Sequence, residues 1–277
     1  MARSIERPRS PRSSTGRAHS SGRTSLAVLT ARLKQHLLVT AALAFLVLAI
    51  VAAAITLLTR AHDRQTELDR QVTRLLAGIP QHDRALGYDA APVTLEVFAD
   101  LKDPDSRNWW NNYLPAIIKQ DVRTGRLQLR FHSYKTNTNS PVEFVTEQTA
   151  ALAAGAQNKL WNYADTFYHQ QRNAPKTSEF DPYATNNFLK SVAQQVPGLN
   201  LDRWQTDRHT ERREEQPSEE TKTATSYRLY VTPSFRIGRT GHPLTNYAGS
   251  TILKYKAQRP IALITATDLE TTIKELN

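Results

Sequence analysis

The chain has 277 residues with 36 Lys and Arg against 26 Asp and Glu, a formal net charge of +10, and no cysteine. Residues 1–34 hold eight of the basic side chains (Arg3, Arg7, Arg9, Arg12, Arg17, Arg23, Arg32 and Lys34) against Glu6 alone, so +7 of the charge sits there and +3 is left for the rest. The high pI therefore belongs to the N-terminal stretch and argues against nucleic-acid binding by whatever folds after it, while the missing thiols exclude disulfide staples and disulfide exchange by this chain.

Residues 1–35 place their arginines among Ser, Pro, Gly and Thr, cannot bury enough apolar surface to offset chain entropy, and read as a disordered basic tail. The run from Leu37 to Leu58 (LLVTAALAFLVLAIVAAAITLL) has no charge, and Thr40 and Thr56 are its polar interruptions. About 22 residues at roughly 1.5 Å each span about 33 Å, enough for the hydrocarbon of a bilayer, so residues 36–59 read as a lipid-embedded transmembrane helix. A cleaved signal peptide, the competing reading, has an apolar region of about 7 to 15 residues after a short basic leader. This chain departs from both. After the span, Arg60, Arg64 and Arg70 are offset by Asp63, Glu67 and Asp69. The positive-inside rule then predicts a single-pass cell-membrane protein with a cytoplasmic N-terminus and an extracytoplasmic C-terminal domain.

Residues 60–90 read as a stalk helix and linker. Leu68, Val72, Leu75, Leu76 and Ile79 recur at helical spacing; docking onto the chain's own domain is the simpler reading of this stripe and dimerisation the sharper one. Gly78, Pro80, Gly87 and Pro92 punctuate the link that follows. Val93 to Ala99 alternates as a strand does. A helix follows from about Pro104 to Gln120, with a kink expected at Pro115. Arg126 to Ser133 alternates again, which makes a β-α-β unit with parallel strands. From about 140 to 228 the pattern turns helical, with elements at Glu143 to Gln171, Pro182 to Gln195, Leu201 to Arg213 and Glu215 to Tyr227. Two short strands, Pro233 to Gly238 and Asn246 to Gly249, and a closing helix, Thr267 to Leu276, complete an α/β domain over 91–277. Trp109, Trp110, Trp161 and Trp204 are expected in its core.

Several local motifs carry a resemblance. Ala91-Pro92-Val93-Thr94-Leu95-Glu96-Val97-Phe98-Ala99-Asp100 is similar to the entry strand of membrane-anchored bacterial members of the DsbA-like branch of the thioredoxin-like superfamily. Gln157-Asn158-Lys159-Leu160-Trp161 with Phe167-Tyr168 resembles their insertion helix, and Val231-Thr232-Pro233-Ser234-Phe235 their cis-proline loop. The resemblance covers about residues 79–277. It implies a thioredoxin-like fold with a helical insertion, a cis Thr232–Pro233 bond, and a family activity of thiol–disulfide exchange. It also implies that Asp103 stands in the place of the nucleophilic cysteine and Ser106 in that of the resolving one, with Pro104 and Asp105 between. No carboxylate or hydroxyl can make or break a disulfide, so dithiol activity is lost at this site.

The residues themselves suggest a structural role for Asp103-Pro104-Asp105-Ser106. Asp accepts from orphan N–H groups at a helix N-cap, Pro fits N1, and Asp105 complements the helix dipole. Three other readings compete. Asp100, Asp103 and Asp105 could hold a hard divalent cation, although the spacing matches no complete calcium loop. Ser106 with a distant His132 or His242 could form a nucleophile and base, although no Gly-x-Ser-x-Gly elbow surrounds it. Thr232, Pro233 and Ser234 could pair with an extended polypeptide by β-augmentation. The leading expectation is a non-catalytic, polypeptide-binding or scaffold module with no cofactor. The alternatives are an enzyme of different chemistry at Asp103 or Ser106, and a structural subunit of a membrane complex.

Overall fold

The computed structural model describes residues 22–138, 140–171, 184–248, 251–253 and 261–276. The chain divides into two units, Met1–Asp63 and Arg64–Asn277. One helix, α1 (Gly22–Leu76), contributes to both. In the first unit it begins well before residue 36, so the stretch expected to be disordered is helical in backbone from Gly22 onward; residues 1–21 of that tail lie outside the described residues. The segment Thr40–Arg60 is long and apolar enough to cross a bilayer, and Leu43, Phe45, Leu48 and Leu58 on it are all exposed.

In the second unit α1 ends against the domain. Val72, Leu76 and the following Ile79 are buried in the core, and Leu75 packs at its margin, so this part of the stripe is docked. The side chain of Leu68 lies outside the described residues. Arg123 closes the helix end: its guanidinium donates to the carbonyls of Ala77 at 2.8 Å, Leu75 at 2.7 Å and Arg74 at 3.4 Å. These are the orphan acceptors of a helix C-terminus, and a cation there also suits the helix dipole.

Among the described residues the main sheet has six strands, in the spatial order Gln81–His82, Ala85–Leu86, Leu127–Ser133, Val93–Ala99, Ser234–Arg239 and Thr245–Tyr247. A hairpin of β1 (Gln81–His82) and β2 (Ala85–Leu86) occupies the link that sequence punctuation suggested was a loop. Next come β3 (Val93–Ala99) and, after the crossover helices, β4 (Leu127–Ser133), paired in parallel from Val93 with Leu127 to Ala99 with Ser133. The expected β-α-β unit is thus present. β3 is central, paired with β4 on one side and with Ser234–Arg239 on the other, and nearly all its side chains are buried.

The crossover is α2 (Pro104–Asn112), α3 (Leu114–Ile117) and a π-turn at Ile118–Val122. The break falls at Tyr113 and not as a kink at Pro115. Pro115 lacks an N–H to continue the ladder, and it sits instead in the first turn of α3, where that N–H would be an orphan anyway.

The helical insertion contains α4 (Pro141–Gly155), α5 (Leu160–Gln170), α6 (Asn186–Gln194), α7 (Leu201–Asp207) and α8 (Glu211–Ser226). The long helix expected over 143–171 is two helices. Asn158 takes φ +58°, a left-handed position that Asn tolerates at a helix end, and Lys159 N donates back to Ala154 O at 2.9 Å. Similarly, the helix expected over 201–213 stops at Asp207, and a new one starts after Thr210. Pro182, where a helix was expected to start, lies outside the described residues.

β5 (Ser234–Arg239) runs antiparallel to β3, and β6 (Thr245–Tyr247) forms the edge beside it; Gly249, the expected end of this strand, lies outside the described residues. A two-stranded pair, β7 (Thr251–Leu253) and β8 (Ile261–Leu263), precedes α9 (Ala266–Leu276), whose Ile273 is buried and whose Leu276 packs at the core margin. All four tryptophans are buried. Trp110 stacks on Trp161 with centroids 5.0 Å apart, and its Nε1 donates to Asp165 at 3.0 Å.

Candidate functional site

The end of β3, the start of α2 and the loop before β5 converge on one place. Asp103 is the N-cap of α2, with φ −69° and ψ 123°. Its Oδ2 accepts from Ser106 N at 2.7 Å and from Ser106 Oγ at 2.8 Å, and its Oδ1 accepts from Asn137 Nδ2 at 3.3 Å. Pro104 occupies the first turn and is exposed, while Asp105 is half-buried there. Ser106 is fully buried, and the nearby Tyr168 hydroxyl donates to the carbonyl oxygen of Asp100 at 3.2 Å.

Burial dominates the electrostatics. Asp103 is only 5% exposed, and desolvation pushes its carboxyl up to about 6; Asp105 nearby adds to this, while hydrogen bonds from Ser106 and Thr232 pull it back. Burial also raises Asp105. The Tyr168 phenol is driven up by burial and by the carboxylates of Asp103 and Asp100.

Asp100 organises the loop facing α2. Its Oδ2 accepts from the backbone N–H groups of Thr136 at 3.1 Å, Asn137 at 2.9 Å and Thr138 at 3.0 Å. Its Oδ1 accepts from Thr138 Oγ1 at 2.7 Å and Lys102 N at 3.1 Å. With its acceptor sites used in this way, Asp100 is a loop clamp, and Asp100, Asp103 and Asp105 do not form the cation site considered from sequence. Among the described residues no group of three or more His, Asp or Glu side chains is placed to hold a metal ion.

The Thr232–Pro233 bond is cis. Thr232 and Pro233 are buried and Ser234 is partly exposed. The Thr232 hydroxyl bonds that of Thr136, which ties this loop to the one clamped by Asp100. The structure thus brings Asp103, Ser106 and Thr232 together. It keeps the histidines away from Ser106: His132 stacks on Phe98 with centroids 4.7 Å apart and faces Glu96 at 3.4 Å, and His242 is exposed. The serine–histidine pair considered from sequence is not assembled.

Beside the loop lies a groove of about 590 Å³, lined by Tyr230, Val231, Pro233, Ser234 and Phe235 and, from β6, by Asn246 and Tyr247. Asp103 is not among its lining residues. Tyr230 is 64% exposed, a large aromatic side chain left in solvent at the groove.

The thioredoxin family model matches residues 80–252. The chain belongs to the thioredoxin family. Within it, the probable disulfide bond formation protein D of Bacillus cereus is 24% identical over 157 residues, which cover 54% of this chain and 68% of that protein. The protein of the same description from Bacillus anthracis is also 24% identical over 157 residues, covering 54% of this chain and 67% of its own. Among solved structures, Wolbachia pipientis alpha-DsbA1 aligns with a TM-score of 0.52 at 13% identity, covering 73% of this chain and 92% of that one. Oxidised BdbD from Bacillus subtilis aligns at 0.51 with 16% identity, covering 71% and 96%. The thioredoxin fold of this protein therefore has DsbA-like structural neighbours, and it carries no cysteine.

Sequence reasoning identified Asp103 as a cap but missed the partners that enclose it. Asn137, Thr136 and Tyr168 reach the site across the fold, and Asp100 was weighed as a metal ligand when it is a clamp. The available signal was the run of polar residues from Thr136 to Asn139 after β4, which leaves backbone N–H groups in search of acceptors.

Proposed function

We propose that this protein is a membrane-anchored, extracytoplasmic thioredoxin-like module that holds polypeptides without exchanging disulfides. The observation that carries the reading is the absence of cysteine from a chain whose relatives are described as probable disulfide bond formation proteins. In this reading Asp103 and Ser106 replace the two thiols of the family motif, with Pro104 and Asp105 between them. Neither replacement can carry electrons between sulfur atoms. The buried, hydrogen-bonded state of the Asp103 carboxyl supports a structural duty at the helix start and not a role as attacking group.

What the frame retains is a surface. Pro233 and Ser234 line a groove whose side chains include Tyr230, Val231, Phe235 and Tyr247, and the buried Thr232 holds the loop behind it. An extended segment would pair with the loop backbone and place alternate side chains in the groove, with Tyr230 as an anchor whose large ring is ordered at small entropic cost. The apolar Thr40–Arg60 helix supports membrane attachment, and the basic flank before it supports a cytoplasmic N-terminus.

The test uses the full chain in an uncharged detergent with a fluorescent, unfolded, cysteine-free polypeptide. Anisotropy is expected to report binding that Val231→Asp and Tyr230→Ala each weaken by about tenfold, the effect of losing one interface anchor. Dithiol oxidation should stay at the no-protein rate. Binding that both variants leave unchanged would refute the assignment of this groove.

A further inference from the structure

A second cavity, of about 540 Å³, is lined by the end of α1, the Asn111–Arg123 region and α5. Its chemistry is uneven in a specific way. Its lining includes two acceptors short of donors. Asp165 is only 3% exposed, takes one hydrogen bond on Oδ1 from Trp110, and has none on Oδ2 among the described residues. Asn111 lines the same cavity, and its buried Oδ1 has no hydrogen-bond partner among the described residues. His169 lies beside the same carboxylate, its Nδ1 3.7 Å from Asp165 Oδ1, but that nitrogen hydrogen-bonds the Asp165 carbonyl oxygen at 2.8 Å and leaves Oδ2 without a donor among the described residues.

The lining is also cationic. Arg74, Lys119 and Arg123 all contribute. Arg123 is committed to the carbonyls at the end of α1, and Arg74 to Glu67 at 2.8 Å. Lys119 is exposed and has no carboxylate partner among the described residues. Unused acceptors on a buried floor call for a donor-rich cation, and an unpaired ammonium beside two guanidinium groups calls for an anion.

We propose that this cavity binds a small ampholyte, its protonated amine against Asp165 and Asn111 and its carboxylate or phosphate against Lys119. The ammonium supplies the donors that both floor oxygens lack, and the anion completes the charge of the rim. The site is separate from the groove beside Pro233, and it stands whether or not that groove holds polypeptides.

The probes are glycine and O-phosphoethanolamine, with ethylamine, acetate and inorganic phosphate as single-ended controls, titrated calorimetrically into the full chain in an uncharged maltoside detergent. At least one double-ended probe is expected to bind about tenfold or more tightly than either of its halves, and Lys119→Ala to lose about that factor, the worth of one charge-assisted contact. Asp165→Asn should do the same; if that buried substitution prevents folding, Lys119→Ala carries the test, since its side chain is exposed. Competition by phosphatidylethanolamine doped into the micelle would assign the site to a lipid headgroup, and its absence to a free molecule. Equal affinity for the single-ended controls, no binding of either ampholyte, or an unchanged Lys119→Ala variant would each overturn the proposal.

Discussion

Replacing Asp103 by Asn should make this protein more stable above neutral pH, and the gain should vanish in acid. The carboxyl is raised from its ordinary 3.8 to about 6 because burial penalises its charged form more than Ser106 and Thr232 repay it. Between those two values the native state holds a proton that the unfolded chain has released, so stability falls as pH rises through this window. Above about pH 6 the native carboxylate is ionised and the full penalty applies; below about pH 4 both states are protonated and it is absent. The gap corresponds to about 3 kcal/mol. Asn imitates the neutral acid and caps a helix as well as Asp does. Thermal unfolding of the full chain in detergent, followed by fluorescence of the four buried tryptophans, reports on the C-terminal unit alone. At about 2–4 °C per kcal/mol for a unit of this size, Asp103→Asn is expected to raise Tm by about 6–12 °C at pH 8. At pH 4 it should change Tm very little. A variant that is less stable than the parent at pH 8, or whose advantage does not depend on pH, would refute the claim that desolvation governs this carboxyl.

Removing the Asp100 carboxylate by Asp100→Ala takes an acceptor from four backbone N–H groups at once, and a loss of about 3 kcal/mol or more is expected, with faster proteolysis after Ser133. Asp100→Asn should recover part of it; a near-neutral Asp100→Ala would contradict the clamp. Leu76, 5% exposed at the docked end of α1, should cost about 2–5 kcal/mol when cut to Ala, whereas Arg123→Ala should cost about 1 kcal/mol through the uncapped carbonyls. Equal and negligible effects in the same Tm measurement would mean that this helix end is not part of the fold. If Asp103 and Ser106 do hold the places of two thiols, the double variant Asp103→Cys with Ser106→Cys should form a disulfide and oxidise a model dithiol peptide, because a thiolate at a helix N-terminus is stabilised. Asp103→Cys alone should not turn over, and a double variant that remains reduced and inert would count against the correspondence.

How far the fold could be read in advance depended on the range of the interactions that set each element. The alternation of Val93 to Ala99 and of Leu127 to Ser133 is local, and both strands and their parallel pairing follow from it. The two-residue strands of the 81–86 hairpin have no pattern of their own; they exist because Leu86 and Ala85 pair with Leu129 and Arg130, a contact invisible in a short window. The division of the long helical stretch at Asn158 was hidden because apolar residues continue on both sides of it, and a left-handed Asn is a signal easily overlooked. Asp103 was legible as a cap because capping is a contact three residues long. Its enclosure by Asn137 and Thr232 was not, since those partners arrive from the loop after β4 and the loop before β5.

The account stands or falls on whether the surface beside Pro233 holds polypeptide. A photoreactive phenylalanine analogue placed at Tyr230, with Tyr88 as an exposed control position away from the groove, can be illuminated in intact membranes of cells making the full chain. The expected result is a polypeptide adduct from the Tyr230 position that disappears when Val231→Asp is added and is absent from the Tyr88 position. No adduct at Tyr230, or one that Val231→Asp leaves unchanged, would contradict it.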